Sequence, residues 1–143
     1  MARIRVSVVL DAPPAVVWAD IEDIGSHVQW MADARSIRFL TEQREGKGTA
    51  FVCDTRVGPF RLNDLMEITA WSPGKAMGVR HTGIVTGDGR FTLAAKRGGR
   101  TTFTWKERLR FPWWLGGPVG AFASKPVLKR IWRGNLRRLE SRF

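Results

Sequence analysis

The stretch DAPPAVVWADIEDIGSHVQWM, residues 11–31, decides how this 143-residue chain folds. Before it, apolar residues alternate with mostly polar ones from Ile4 to Leu10, which is the pattern of a half-buried strand. Pro13 and Pro14 interrupt that strand, and Pro14 suits the first position of a helix because its missing N–H needs no partner there. The chain therefore changes from strand to helix within a few residues.

The same stretch predicts two short helices. Apolar residues recur at helical spacing from Val17 to Ile24, and Gly25 is typical of a residue that ends a helix. Ser26 suits the cap of a second helix, which would carry Trp30 and Met31. We expect the two helices to close one end of a sheet, with Trp30 and Met31 forming a wall or lid of the enclosed space.

The rest of the chain predicts six more strands and one long helix. Between Arg35 and Phe111 the apolar pattern has a period of two, interrupted at regular intervals by glycine-rich turns. Links of hairpin length join antiparallel neighbours. After Pro112 a helix runs to the C-terminus, with an apolar face opposite a basic one. The apolar face comprises Leu128, Ile131, Trp132, Asn135, Leu136, Leu139 and Phe143.

A long sheet and an amphipathic helix can both bury an apolar face if the sheet curls around the helix. We therefore predict an α+β fold, in which a seven-stranded antiparallel sheet wraps around a long C-terminal helix and two short helices follow the first strand. The length fits one domain, residues 1–143.

Composition narrows the classes of function. The net charge is +11, and residues 125–142 hold seven basic residues and one acid. Such a helix can bind nucleic acid or anionic membrane, or it can present a solvated face. No nucleic-acid-binding motif accompanies the charge, so we expect no nucleic acid partner. The chain starts without the apolar run of a signal peptide, and its single cysteine, Cys53, fits a reducing compartment. We expect a cytoplasmic protein.

The order of elements and four stretches together resemble the START-like, polyketide cyclase/dehydratase superfamily, which has a helix-grip fold. The stretches are residues 11–31, EITAWSPGKAMGVRH at 67–81, GDGRFTLAAKRGGRTTFTWKERLRFP at 87–112 and VLKRIWRGNLRRLESRF at 127–143. The resemblance implies a deep cavity between the sheet and the long helix that holds an apolar small molecule. Members include lipid carriers, hormone receptors and aromatase/cyclases, and they share no catalytic motif.

Strand alternation predicts which side chains face that cavity. The turns fix the hairpin registers, and each register keeps the same inward parity. The predicted opposite pairs are Cys53–Asp64, Phe51–Met66, Met66–His81, Leu93–Phe103, Phe91–Trp105 and Gly89–Glu107. Three ionisable side chains, those of Asp64, His81 and Glu107, then face the interior and need partners, water or a ligand there.

The ionisable groups allow two interpretations. His81 and Glu107 lie on strands two apart, a separation of about 9.5 Å that the two side chains nearly bridge, and Gly89 lies between them. They are candidate catalytic residues, an acid/base pair in an apolar cavity. Alternatively, the groups form a structural polar cluster or orient the polar end of a ligand.

We expect the protein to bind a hydrophobic small molecule such as a lipid, a polyketide or an aromatic metabolite, with no cofactor. The alternatives are a polyketide aromatase/cyclase or dehydratase and a lipid carrier that docks on anionic membrane. The expected ligand-binding residues are Trp30, Met31, Phe51, Asp64, Met66, His81, Phe91, Phe103, Trp105, Glu107, Trp114, Phe122, Leu128, Ile131 and Trp132.

The two histidines are far apart in sequence and lack metal-ligand spacing, so no metal site is expected. His27 is expected to face solvent. Trp113 and Trp114 precede the basic helix, and tryptophan beside basic residues is typical of a contact with a membrane surface. Packing near the cavity mouth is the alternative interpretation of these two residues.

Overall fold

The computed structural model describes residues 2–143, which form one seven-stranded sheet, two α-helices and two 3₁₀ helices. The strands are β1 Ala2–Leu10, β2 Ala34–Phe39, β3 Ala50–Val57, β4 Phe60–Ser72, β5 Ala76–Thr82, β6 Thr86–Lys96 and β7 Arg100–Arg110. The helices are α1 Pro14–Ile21, a first 3₁₀ helix Ile24–Gln29, a second 3₁₀ helix Trp113–Leu115 and α2 Gly117–Glu140.

The sheet has the strand order β1-β7-β6-β5-β4-β3-β2, and every neighbouring pair is antiparallel. Strands β2 to β7 follow one another as hairpins, and β1 closes the order by pairing with β7. The predicted α+β fold is confirmed, and all six predicted cross-strand pairs occur in the sheet. The inward parity assigned from the sequence therefore holds from β3 to β7.

The two short helices follow β1 as predicted, but their boundaries differ. Helix α1 begins at Pro14 and ends at Ile21, before the predicted stop at Gly25, which lies inside the first 3₁₀ helix. Ser26 does not cap that helix; its hydroxyl donates to the carbonyl of Asp23 at 2.7 Å from within it. A 3₁₀ helix has three residues per turn instead of 3.6, so it places side chains on different faces from those that an α-helix would give.

Helix α2 covers only part of the sheet. It packs mainly on β1 and also contacts β7, while the first 3₁₀ helix contacts β2. The six spacings between seven strands, at about 4.8 Å each, make the sheet about 29 Å wide. A helix with its side chains is only about 10 Å wide. The inner faces of the middle strands are therefore left without a helix on them, and the cavity lies there.

Candidate ligand-binding cavity

A cavity of about 410 Å³ lies between the inner faces of β3 to β7 and helix α2. Most of its lining is aliphatic, aromatic or sulfur-containing. These residues include Ile37, Phe51, Cys53, Met66, Ile68, Met77, Val79, Phe91, Leu109, Leu128 and Trp132. The lining follows from strand alternation, because every second residue of each strand points to the same face.

Ten of the fifteen residues that the sequence assigned to ligand binding line this cavity. They are Met31, Phe51, Asp64, Met66, His81, Phe91, Trp105, Glu107, Leu128 and Trp132. Seven of them lie on strands, where parity fixes the direction of the side chain, and Leu128 and Trp132 lie one helical turn apart on α2.

Trp30 and Phe103, which the sequence places among the ligand-binding residues, do not line the cavity. Both side chains are fully buried in the core. The Trp30 ring lies 5.9 Å from Phe91, 6.4 Å from Phe103 and 6.3 Å from Trp105, measured between ring centroids. Trp30 thus packs behind the cavity wall formed by Phe91 and Trp105 and does not close the space as a lid.

Trp114, Phe122 and Ile131, also expected at the ligand, are absent from the lining as well. Trp114 is 56% exposed and Phe122 is 73% exposed. Ile131 is half-buried and packs against the core. Only a narrow stripe of helix α2, which includes Leu128 and Trp132, faces the cavity.

His27 is buried and lines the cavity, which contradicts the expected position in solvent. In a 3₁₀ helix, residues three apart share a face, so His27 joins Ile24 and Trp30 on the buried side. Its Nε2 donates to the carbonyl oxygen of Ile21 at 2.7 Å, which assigns the proton of the neutral ring to Nε2. Burial lowers the pKa of His27, because the charged form would lose its hydration.

The side chains of His81 and Glu107 are in direct contact. His81 Nε2 lies 3.2 Å from Glu107 Oε1, to which it is hydrogen-bonded, and 3.0 Å from Oε2. Trp105 Nε1 also donates to Oε1, at 3.0 Å. Glu107 Oε2 is buried and accepts no hydrogen bond of good geometry, and its close polar neighbour is His81 Nε2 of the ion pair.

Strand β6 separates His81 from Glu107, and glycine lets them meet across it. Glu107 is opposite Gly89, and His81 is opposite Gly87, so the two side chains meet on a diagonal. A Cβ atom at position 89 would collide with the carboxylate of Glu107. The bare backbone of Gly89 therefore leaves the space that the carboxylate occupies.

The environment sets the charge of the pair. Burial by itself lowers the pKa of His81, but the charge of Glu107 and its hydrogen bond outweigh that effect and raise the pKa above its usual value. The protonated form of His81 is therefore favoured, in contact with Glu107 on a largely apolar wall.

Asp64 is a further polar residue on the same wall of the cavity. Its Oδ2 accepts a hydrogen bond from Thr55 Oγ1 at 2.8 Å. Burial raises the pKa of Asp64, which the hydrogen bond from Thr55 and the charge of His81 partly offset. Burial likewise raises the pKa of Cys53 to about 11, so its thiol stays protonated and packs as a small apolar group.

Asp33, which sequence reasoning missed, links the cavity to helix α2. Its carboxylate accepts hydrogen bonds from Asn135 Nδ2 at 2.7 Å and from Trp132 Nε1 at 3.3 Å. Asn135 Oδ1 in turn accepts the backbone N–H of Ala32 at 2.9 Å. The Trp132 ring stacks on Trp105, with centroids 4.7 Å apart and ring planes 17° apart. The only signal in the sequence was a polar Asn135 on an otherwise apolar helix face.

These features define a class of protein: a curled antiparallel sheet and a terminal helix that enclose an apolar cavity with a few polar groups on one wall. The chain belongs to the family described as polyketide cyclase / dehydrase and lipid transport, whose model matches residues 1–143. A search of curated proteins found no match.

Solved structures with low sequence identity share the fold. A protein from Thermus thermophilus superposes with a TM-score of 0.81 at 16% identity, covering 98% of this chain and 95% of that one. The Zhui aromatase/cyclase from a Streptomyces species gives 0.79 at 17% identity, with 98% and 92% covered. A START superfamily protein from Mycobacterium smegmatis gives 0.78 at 12% identity, with 99% and 97% covered.

Residues 2–143 include no group of three or more His, Cys, Asp or Glu side chains arranged to hold a metal ion. Over the same residues, no helix combines the length and apolar character needed to cross a membrane.

Proposed function

We propose that the protein reversibly binds a hydrophobic small molecule in the cavity between the sheet and α2. The observation that carries the proposal is a space of about 410 Å³ lined mainly by apolar side chains, with three ionisable groups on one wall. Its volume lies within the range of about 300–1,000 Å³ that is typical of small-molecule sites. The ligand class is a lipid, a polyketide or an aromatic metabolite.

Apolar burial supplies most of the affinity in this proposal. Each CH₂ moved from water into the cavity contributes about 0.8 kcal/mol, so a chain of about ten carbons gains roughly 8 kcal/mol before the costs of association. Few polar contacts are then needed, and they set orientation. Asp64, His81 and Glu107, which line the cavity, would orient the polar end of the ligand.

Filling the cavity with a side chain tests the proposal. Val79 lines the cavity, and Val52 lies on β3 with its side chain on the opposite face of the sheet. We expect Val79→Trp to abolish binding of the neutral apolar fluorophore N-phenyl-1-naphthylamine, while the matched Val52→Trp variant binds it as the wild type does. Equal binding by wild type and Val79→Trp contradicts the proposal.

The ligand itself can be identified from the purified protein. Native mass spectrometry of protein made in its own cells, followed by solvent extraction, should give an apolar molecule that is absent from Val79→Trp.

Acid/base chemistry is the second candidate, as in a polyketide aromatase/cyclase or dehydratase. The observation that favours it is the 3.0 Å approach of His81 Nε2 to Glu107 Oε2 inside an apolar cavity. In a dehydration, protonated His81 would give its proton to a departing hydroxyl group, which leaves as water. A carboxylate such as Glu107 would take the proton from the neighbouring carbon as the double bond forms.

The two candidates differ in what Glu107→Gln does. Glutamine has nearly the same shape but cannot take a proton at neutral pH. An enzyme would lose turnover of a linear polyketide in Glu107→Gln and keep its binding. A binding protein would release the polyketide unchanged in both forms.

A further inference from the structure

We propose that the mouth of the cavity docks on an anionic lipid bilayer, so that an apolar ligand moves between bilayer and cavity without crossing water. The inference rests on the proposed binding of an apolar ligand and names the partner surface from which that ligand enters.

The cavity reaches the surface at one end of the molecule. Phe60 and Val127 line it and are themselves 57% and 53% exposed. Val85, from the β5–β6 turn, and Leu115, from the second 3₁₀ helix, line the same end. Four segments therefore surround the opening: the β3–β4 turn, the β5–β6 turn, the second 3₁₀ helix and the first half of α2.

Exposed apolar side chains are concentrated on these four segments. Of the ten large ones among residues 2–143, seven belong to them, and we call the seven the mouth patch. The mouth patch consists of Phe60, Ile84, Trp113, Trp114, Val119, Phe122 and Val127. Trp113 is 86% exposed and Val119 is 77% exposed. A cluster of this kind on a protein surface marks an interaction site.

The charge around the mouth patch selects an anionic partner. The stretch from residue 108 to residue 129, which includes most of the mouth patch, contains Arg108, Arg110, Lys125 and Lys129 and no Asp or Glu, and of these four Arg108 pairs with Asp88. Lys125 Nζ lies 5.6 Å above the Phe122 ring, and Lys129 follows one helical turn later. A second copy of the chain would bring the same positive charge, whereas anionic lipid headgroups complement it.

Tryptophan and the depth of insertion fit a bilayer surface. Tryptophan favours the boundary between headgroups and acyl chains, and apolar side chains on such surfaces enter it by about 5–10 Å. Phe60 and Val127, which line the cavity and are exposed at its opening, would then enter this boundary with Trp113 and Phe122. The opening then faces the apolar layer.

Binding to vesicles tests the proposal. The wild type should bind vesicles of phosphatidylcholine mixed with phosphatidylglycerol, bind vesicles of phosphatidylcholine alone much more weakly, and lose affinity as salt is raised. We expect Trp113→Ser/Phe122→Ser to weaken binding to the mixed vesicles at least about tenfold. The matched control is Val16→Ser/Leu40→Ser, since Val16 and Leu40 are each 50% exposed and lie toward the other end of the strands. It should bind as the wild type does.

A charge variant provides an independent measurement. Lys125→Glu/Lys129→Glu should also lose binding to the mixed vesicles, and its remaining binding should depend less on salt. Equal wild-type binding to both kinds of vesicle, or equal loss in patch and control variants, overturns the docking proposal. A dimer in solution that Trp113→Ser/Phe122→Ser dissociates assigns the mouth patch to a second copy and also overturns it.

The fluorophore N-phenyl-1-naphthylamine, measured without vesicles, separates this proposal from the function on which it rests. The patch and control variants should bind it as the wild type does, because neither changes the proposed site. Vesicle binding by a wild type that does not bind the fluorophore would refute the cavity function alone. Fluorophore binding without vesicle binding would refute the docking alone.

Discussion

At the scale of single residues, the contact between His81 and Glu107 depends on Gly89 having no side chain. We predict that Gly89→Ala displaces the Glu107 carboxylate, because the added methyl group would occupy its place, and thereby lowers the pKa of His81. An NMR titration of the imidazole measures this directly. Gly25→Ala is the control, since its added Cβ meets nothing closer than 3.5 Å. An unchanged His81 titration in Gly89→Ala would contradict the prediction.

The same variant changes stability in a defined pH range. Because the pKa of His81 is raised in the folded state, its contribution is fully present below the unfolded value of about 6.5 and is lost as pH rises through the folded value. Gly89→Ala should therefore destabilise the protein more at acidic pH than at alkaline pH.

His27 acts in the opposite direction. Its folded pKa is lowered by burial, so it favours the folded state above about pH 6.5, and that stability is lost as pH falls toward the folded value. We predict that His27→Gln, which keeps a donor for the Ile21 carbonyl, reduces the loss of unfolding free energy between about pH 7.5 and 5. Urea unfolding at both pH values measures it, and an identical loss in wild type and variant would refute the assignment.

At the scale of elements, strand alternation made the sheet and most of the cavity wall predictable. Hairpin turns fix register locally, and a side chain in a known register can face only one of two sides. That is why Phe51, Asp64, Met66 and His81 could be placed without coordinates.

The helical elements were less predictable for a physical reason. A 3₁₀ helix and an α-helix place the same residue on different faces, so His27 was assigned to solvent and Trp30 to the cavity. The hydrogen bonds between Asp33 and Asn135 join residues 102 apart, and no local pattern reports such a contact. The exposure of Phe122 depends on how α2 is rotated against β1, which packing decides.

The hydrogen bond between Asp33 and Asn135 attaches α2 to the segment that follows the first 3₁₀ helix. We predict that Asn135→Leu costs about 2–4 kcal/mol of unfolding free energy, because it leaves the Asp33 carboxylate and the Ala32 N–H without these partners. Urea unfolding measures the cost, with the exposed Asn63→Leu as control. A cost no larger than that of the control would show that the contact does not hold α2 in place.

At the scale of the whole molecule, the fold provides a sheet wider than the helix that packs on it, and the uncovered part becomes a cavity. Ligand binding there should stabilise the protein by mass action, by about 2.7 kcal/mol at a ligand concentration of 100 times Kd. Apolar side chains surround the opening, and acidic residues are missing from the sequence of α2 until Glu140. The opening of the cavity, the mouth patch and the first half of the basic helix α2 are thus neighbours.

The account depends on the space between sheet and helix being open to an apolar guest, and diffraction from crystals held under xenon pressure tests this most directly. Xenon enters apolar cavities and scatters strongly. We predict xenon density bounded by Met66, Val79 and Trp132 in the wild type, and none there in Val79→Trp. A wild-type crystal with no xenon in that space, its side chains filling it, would contradict the account.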